Sequence, residues 1–191
     1  MGVEAKTMHE IRWHGRGGQG AVTSAKILAE AAFLSGFAGV TSQPSFGAER
    51  RGAPITASTR LDDKPVRVLS QVTEPDIVVV LDDSLIGVGG AASGMQPGGT
   101  MIVNTTLPAE QLGVAGDVHV VTADVTGAAE AADLIVGGQP MVSTAILGSI
   151  ARATGLITMD SVETAIGHAF KGSAAAKNVE AAKIAYECTK A

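Results

Sequence analysis

The sequence predicts an α/β fold: a Rossmann-like three-layer domain with a mostly parallel sheet, an antiparallel hairpin and a helical C-terminal end. Three observations predict it. An alternating run passes directly into a glycine-rich loop and then a helix-forming run. A continuous apolar segment is closed by acids at both ends, and residues 142–189 keep a helical pattern almost throughout. With 191 residues and no internal repeat or linker, the chain reads as a single domain, 1–191.

Each element has its own signal. Residues 8–14 alternate as a first strand, and Gly15-Arg16-Gly17-Gly18-Gln19-Gly20 follows as a loop. Ala21 to Leu34 then carries apolar positions at Val22, Ile27, Leu28, Ala31 and Leu34, which is helical spacing. Val40 to Ser42 is a short strand entering an irregular loop, Gln43 to Gly52. Residues 54–61 are β-branched and alternating; Asp62-Asp63-Lys64-Pro65 makes a turn and Val66 to Leu69 returns, which predicts the antiparallel hairpin. Asp76 to Asp82 encloses Ile-Val-Val-Val-Leu, the composition of a central strand buried on both faces. A weak helix at 85–92, a Gln96-Pro97-Gly98-Gly99 turn and a strand from Thr100 to Asn104 come next. Asp117 to Thr122 is another strand and Val125 to Ile135 another helix. Val142 to Thr154 is a helix closed by Gly155; a further helix opens on Asp160 with Glu163 in capping-box spacing, and a last one runs from about 175 to 189.

Composition removes several classes of function. Hydrophobic residues make up 46% and charged residues 17%, ample for a packed core. Aromatic residues are 3% and the net charge is −5, so neither base stacking nor phosphate-backbone binding is expected: no nucleic acid is a partner. No apolar stretch approaches the roughly 18 residues of a membrane span, and residues 1–10 lack a signal-peptide core, so a cytoplasmic chain without a membrane partner is expected. Cys188 is the only cysteine, which rules out an internal disulfide, a redox pair or an iron–sulfur ligand set.

Charge is unevenly placed. Residues 68–151 hold nine acids and no Lys or Arg, whereas residues 1–67 hold nine bases and six acids. Within that basic third, Arg16, Arg50 and Arg51 sit in glycine-punctuated stretches. One reading is that they are solvated; the other is that they form an anion site. Gly15 to Gly20 matches Gly-x-Gly-x-x-Gly, whose backbone amides can cradle a phosphate at a helix start. No acid stands near Val40 to Ser42, where a dinucleotide ribose would need one, so a ligand-free turn packing helix on strand stays open beside it. His9, His14, His119 and His168 lack metal-ligand spacing, and no Gly-x-Ser-x-Gly elbow occurs. Asp82 and Asp83 close the apolar strand, where they either face a ligand or cap the next helix.

Five segments occur in order: His14 to Gly20, Ser45-Phe-Gly-Ala-Glu-Arg-Arg-Gly-Ala-Pro54, Glu74 to Asp82, Asn104-Thr105-Thr106, and Pro140-Met-Val-Ser-Thr-Ala-Ile-Leu-Gly148. Together they resemble the gamma subunit of 2-oxoacid:acceptor oxidoreductases, nearest the pyruvate and 2-oxoisovalerate branch, although Ser143 stands where that family more usually has Asn. The resemblance implies a multi-subunit enzyme that decarboxylates a 2-oxoacid on thiamine diphosphate with Mg2+. Electrons pass through [4Fe–4S] clusters to ferredoxin or an NAD-linked acceptor, and coenzyme A takes the acyl group. The partners it implies are alpha, beta and ferredoxin-like delta subunits. The chain itself is expected to bind none of those cofactors alone. Its one Gly-Asp, at 116–117, has no Asn at thiamine-motif distance downstream, and its one cysteine cannot hold a cluster. It therefore reads as a subunit completing the complex, with no catalytic residue and no metal ligand. Gly15, Arg16, Gly17, Gly18, Gln19, Gly20, Arg50, Arg51 and Asn104 are its expected cofactor-facing positions, on coenzyme A or at a subunit interface. The alternative is a free-standing Rossmann-like nucleotide-binding module.

Overall fold

The computed structural model describes residues 8–44, 50–88 and 90–190. Six strands form one sheet: β1 (His9–Arg16), β2 (Gly39–Pro44), β3 (Pro54–Asp62), β4 (Ile77–Val80), β5 (Gly99–Asn104) and β6 (Val118–Ala123), in the order β2-β3-β1-β4-β5-β6. β1, β4, β5 and β6 run parallel, and β3 is antiparallel to both β1 and β2. The α/β architecture is therefore as expected, with a mixed, mostly parallel sheet. The hairpin is differently built. Residues 66–69, expected to pair back on β3, form no strand; β2 pairs with β3 from Gly39↔Asp62 to Pro44↔Ala57 instead. The physical reason is that β3 already has a neighbour on each side, which leaves it no edge to offer a returning strand.

One face of the sheet carries almost all the helices. These are α1 (Ala21–Leu34), α3 (Val125–Ala131), α4 (Val142–Thr154), α5 (Met159–Ala169) and α6 (Gly172–Cys188). Ile11, Trp13, Ile77, Val79, Ile102 and Val121 point into this side and join the helices in one large core. Trp13 is fully buried and its indole N–H donates to Thr59 Oγ1 at 2.9 Å, which satisfies its one polar atom. α4 lies inside this layer: every residue from Val142 to Ala151 is buried, as a helix enclosed by α1, α3, α5, α6 and β5 must be. Gly148 lets α4 and α6 touch, because a Cβ there would overlap the Ala182 carbonyl oxygen.

The opposite face is thin. Short α2 (Leu85–Val88) and the loops around Met95 and Leu112 cover Val78, Val80, Met101 and Val103. Under β1 and β3 this face is polar. Arg60 is buried and pairs with Glu10 at 2.9 Å, and its guanidinium also donates to the Ser70 carbonyl at 2.6 Å. Arg12 Nε donates to His14 Nε2 at 3.1 Å, and its other nitrogens reach the Thr73, Ala91 and Ser93 carbonyls. Burial, aided by the Arg12 charge, holds His14 neutral down to about pH 4.

Two local expectations shift. The N-cap of α5 is Thr158, whose hydroxyl accepts from Ser161 N at 3.1 Å while Ser161 Oγ accepts from Thr158 N. The capping box thus lies two residues before Asp160, because Leu156 and Ile157 already anchor the turn to the core. α3 stops at Ala131, and residues 135–140 form a two-residue ladder, β7 (Ile135–Val136) with β8 (Gln139–Pro140), closed by Gly137 and Gly138 at positive φ.

Candidate functional site

The chain leaves β1 and β4 towards opposite faces of the sheet: Gly15 and Arg16, expected in a loop, end β1, Gly17–Gly20 lead into α1 on the helical side, and Asp82–Ser84 lead into α2 on the thin side. Adjacent parallel strands whose connections diverge leave a crevice at their carboxyl ends, the usual ligand position in such sheets. A cavity of about 560 Å³ opens there, lined by Arg16 to Gln19, Arg51, Gly52, Asn104, Thr126 and residues 136–142 apart from Gly138. A neighbouring cavity of about 500 Å³ shares Gln19, Asn104 and Thr126 with it, and adds Asp82, Asp83 and Asp124.

The glycines have separable reasons. Gly17 is buried, and a Cβ on it would overlap the Arg50 carbonyl oxygen. Gly17 N donates to the Ala53 carbonyl at 2.8 Å and Gly52 N to the Gly17 carbonyl at 2.9 Å, so the glycine loop and the arginine loop are locked together just beyond the end of the β1–β3 pairing. Gly20 has φ 82° and precedes α1; its missing Cβ would stand 2.7 Å from Cβ of Ser143 on α4. The starts of α1 and α4 are therefore side by side. Neither has a side-chain cap or an acid in its first turn, so both leave amide dipoles facing the cavity end of the molecule. α3, by contrast, is capped by Asp124, which accepts from Gly127 N at 2.8 Å.

The structure brings together Arg16, Gly17, Gly18, Gln19, Arg51 and Asn104 around one cavity system, while Gly15 and Gly20 line neither cavity. Arg50 is exposed and contributes its carbonyl to the Gly17 contact, while Ser45 to Glu49 lie outside the described residues. Asn104 is buried with its amide engaged: Nδ2 donates to the Leu81 carbonyl and Thr126 Oγ1, both at 3.0 Å, and Oδ1 accepts from Thr126 N at 3.1 Å. It ties the end of β5 to the start of α3. Asp82 is held below the ordinary carboxylate range: burial works to raise it, but hydrogen bonds from Ser84 and Arg16 and the Arg16 charge outweigh that.

Sequence reasoning missed the apolar wall at Val136, Pro140, Met141 and Val142, and the contact of Ser143 with Gly20. The wall has no signal in local pattern, since Val136 is 60% exposed on a six-residue hairpin. Among the described residues no group of three or more His, Cys, Asp or Glu could hold a metal ion, and no helix is long and apolar enough to cross a membrane. Cys188 is half-buried on α6, and burial raises its thiol.

Chemically, the cavity offers a cationic, amide-rich side and an apolar side, which suits a ligand with an anionic end and an uncharged body. Comparison with known proteins agrees over the whole fold. Residues 10–188 match the model of the pyruvate ferredoxin/flavodoxin oxidoreductase family. The chain is 49% identical to the pyruvate/ketoisovalerate oxidoreductases common subunit gamma of Thermococcus litoralis, over 95% of this chain and 97% of that one. It is likewise 49% identical to the pyruvate synthase subunit PorC of Methanothermobacter thermautotrophicus, over 94% and 95%. The crystal structure of the pyruvate oxidoreductase subunit PORC of Thermotoga maritima superposes with a TM-score of 0.84 at 32% identity, covering 97% of this chain and 98% of that one. With its parallel core, its glycine loop locked to the arginine loop and its sequence matched over residues 10–188, the chain belongs to the pyruvate ferredoxin/flavodoxin oxidoreductase family.

Proposed function

We propose that this chain is the gamma subunit of a multi-subunit 2-oxoacid:acceptor oxidoreductase, which oxidatively decarboxylates pyruvate or a branched 2-oxoacid to acyl-coenzyme A and carbon dioxide. The observation that carries this reading is near-full-length identity of 49% to a subunit named for both pyruvate and ketoisovalerate oxidoreductases. Thiamine diphosphate, Mg2+ and the [4Fe–4S] clusters belong to alpha, beta and ferredoxin-like delta partners. The assembled enzyme works in the cytoplasm and passes its electrons to ferredoxin or an NAD-linked acceptor.

Within that assembly this chain, as one gamma-type domain, binds and orients the coenzyme A end of the reaction. Gly15 to Gly20, Arg50, Arg51 and Asn104 are the residues we assign to it. Arg51 and the open amides at the starts of α1 and α4 meet phosphate, and Val136, Met141 and Val142 face the uncharged arm.

Co-purification and reconstitution test this. The isolated chain is expected to be colourless and to reduce no acceptor with any 2-oxoacid, and to restore turnover when added to the larger thiamine- and cluster-bearing chains. Acceptor reduction by the chain alone would overturn the reading. Arg51→Ala should raise the apparent KM for coenzyme A about tenfold, as loss of a charge-assisted bond of about 1.4 kcal/mol requires, with Arg51→Lys intermediate. An unchanged KM in both variants removes Arg51 from the site.

A further inference from the structure

Two arginines border the cavity, and their surroundings assign them different work. Arg16 has spent its guanidinium. Nε donates to Asp82 Oδ2 at 2.9 Å, Nη1 to the Gly52 carbonyl at 3.1 Å and Nη2 to Ser84 Oγ at 2.7 Å. Asp82 is the hub of this set: Oδ2 also accepts from Gln19 Nε2 at 3.3 Å, and Oδ1 accepts from the Ser84 amide at 3.2 Å and from its hydroxyl. Gln19 Oε1 in turn accepts from Arg16 N at 2.8 Å, which closes the ring. Arg51 is exposed, lines the same cavity, and makes no ion pair among the described residues.

We propose that Asp82 is a positioning residue: it holds Arg16 as a strut between the end of β4 and the arginine loop, and so fixes Arg51 at the cavity mouth as the arginine that meets the anionic group of the substrate. This rests on the coenzyme reading above. The geometry permits no slack between the two loops. Arg16 grips the Gly52 carbonyl, while the Gly52 amide is bonded to the Gly17 carbonyl and the Gly17 amide to the Ala53 carbonyl, so the chain immediately after residue 51 is pinned to the glycine turn. The carboxylate also neutralises Arg16, so that positive charge in the mouth is concentrated at Arg51. A planar guanidinium is what the position demands, because three acceptors lie around one head group in different directions.

The test compares Asp82→Ala, Asp82→Asn and Arg51→Ala in the reconstituted complex, with amide hydrogen exchange on the same full-length chain. Asp82→Ala is expected to speed exchange at Gly17 and Gly52 at least tenfold while Val79 in β4 stays protected. It should also raise the KM for coenzyme A about fivefold and leave the KM for the 2-oxoacid within twofold, with Asp82→Asn in between. Unchanged exchange at Gly17 and Gly52 overturns the strut. Faster exchange with an unchanged coenzyme KM, while Arg51→Ala still raises it, overturns the positioning role and leaves the coenzyme reading standing. If neither Asp82→Ala nor Arg51→Ala moves the coenzyme KM, the site assignment falls and this inference with it. Should Asp82→Ala fail to fold, Ser84→Ala removes one support of Arg16 and is expected to give the same pattern at two- to threefold; no change in exchange at Gly17 and Gly52 there overturns the proposal equally.

Discussion

The two faces of the sheet are held by different physics although the same strands make both. On the helical side, β1 contributes Ile11 and Trp13 to a mostly apolar core shared with α1, α4 and α6, whose few buried polar groups are paired within it, as Thr144 is with Asn178. On the thin side, β1 contributes Glu10, Arg12 and His14, and β3 answers with Ser58 and Arg60. One face is closed by apolar area and the other by directed bonds to carbonyls brought in from residues 70–93. A packed apolar face tolerates changes of pH and salt; a face closed by a buried arginine and a neutral histidine does not.

The sharpest way to break this contrast is to hollow the helical side. Trp13→Ala removes the largest fully buried side chain and the indole donor to Thr59, and should cost about 3–5 kcal/mol in urea unfolding at neutral pH. A loss below about 1 kcal/mol would mean the core is not where the strands meet the helices.

The polar side is tested by acid. His14 takes a proton near pH 4 in the folded chain and near 6.5 when unfolded, so the unfolded state binds more protons between those values. That contribution is fully present above pH 6.5 and is lost as pH falls towards and through 4, about 3 kcal/mol in all. His14→Gln should flatten this part of the stability-against-pH curve; the same slope in the variant would assign the titration elsewhere.

The smallest effect belongs to a helix cap at the margin of the helical side. Thr158→Ala removes the cap of α5 and should cost about 1 kcal/mol, read as a fall in melting temperature, with no change in its pH dependence. A pH-dependent loss would tie α5 to the polar side and blur the distinction.

Legibility in the sequence follows the same division. α1 and α4 stand where helical periodicity places them, because an apolar stripe buried on one core determines its own period. β4 was readable from its acid-bounded run, since a strand covered on both faces must be apolar throughout. The failures are long-range. Nothing local in Val66 to Leu69 reveals that β3 is already paired on both sides, and nothing in Arg12 or Arg60 reveals that their partners are carbonyls some ten to eighty residues away. At the site, the glycine spacing and arginine pair were legible as types of residue, whereas the division of labour between Arg16 and Arg51 depends on Asp82, which the sequence offers as facing a ligand or capping a helix without revealing Arg16 as its partner.

The bridge between Gly17 and Arg51 bears on how this family can vary. It ties together two segments that lie 34 positions apart in the chain, just beyond the end of the β1–β3 register, so neither can gain or lose a residue there alone. An insertion after β1 would shift Gly17 off the Arg50 carbonyl and place a side chain where none fits. Length changes between β1 and β3 are therefore expected away from the bridge, as in the turn around residues 35–38. The spacing from Gly17 to its partners behaves as a ruler, and relatives that keep the ruler are expected to keep the cavity mouth.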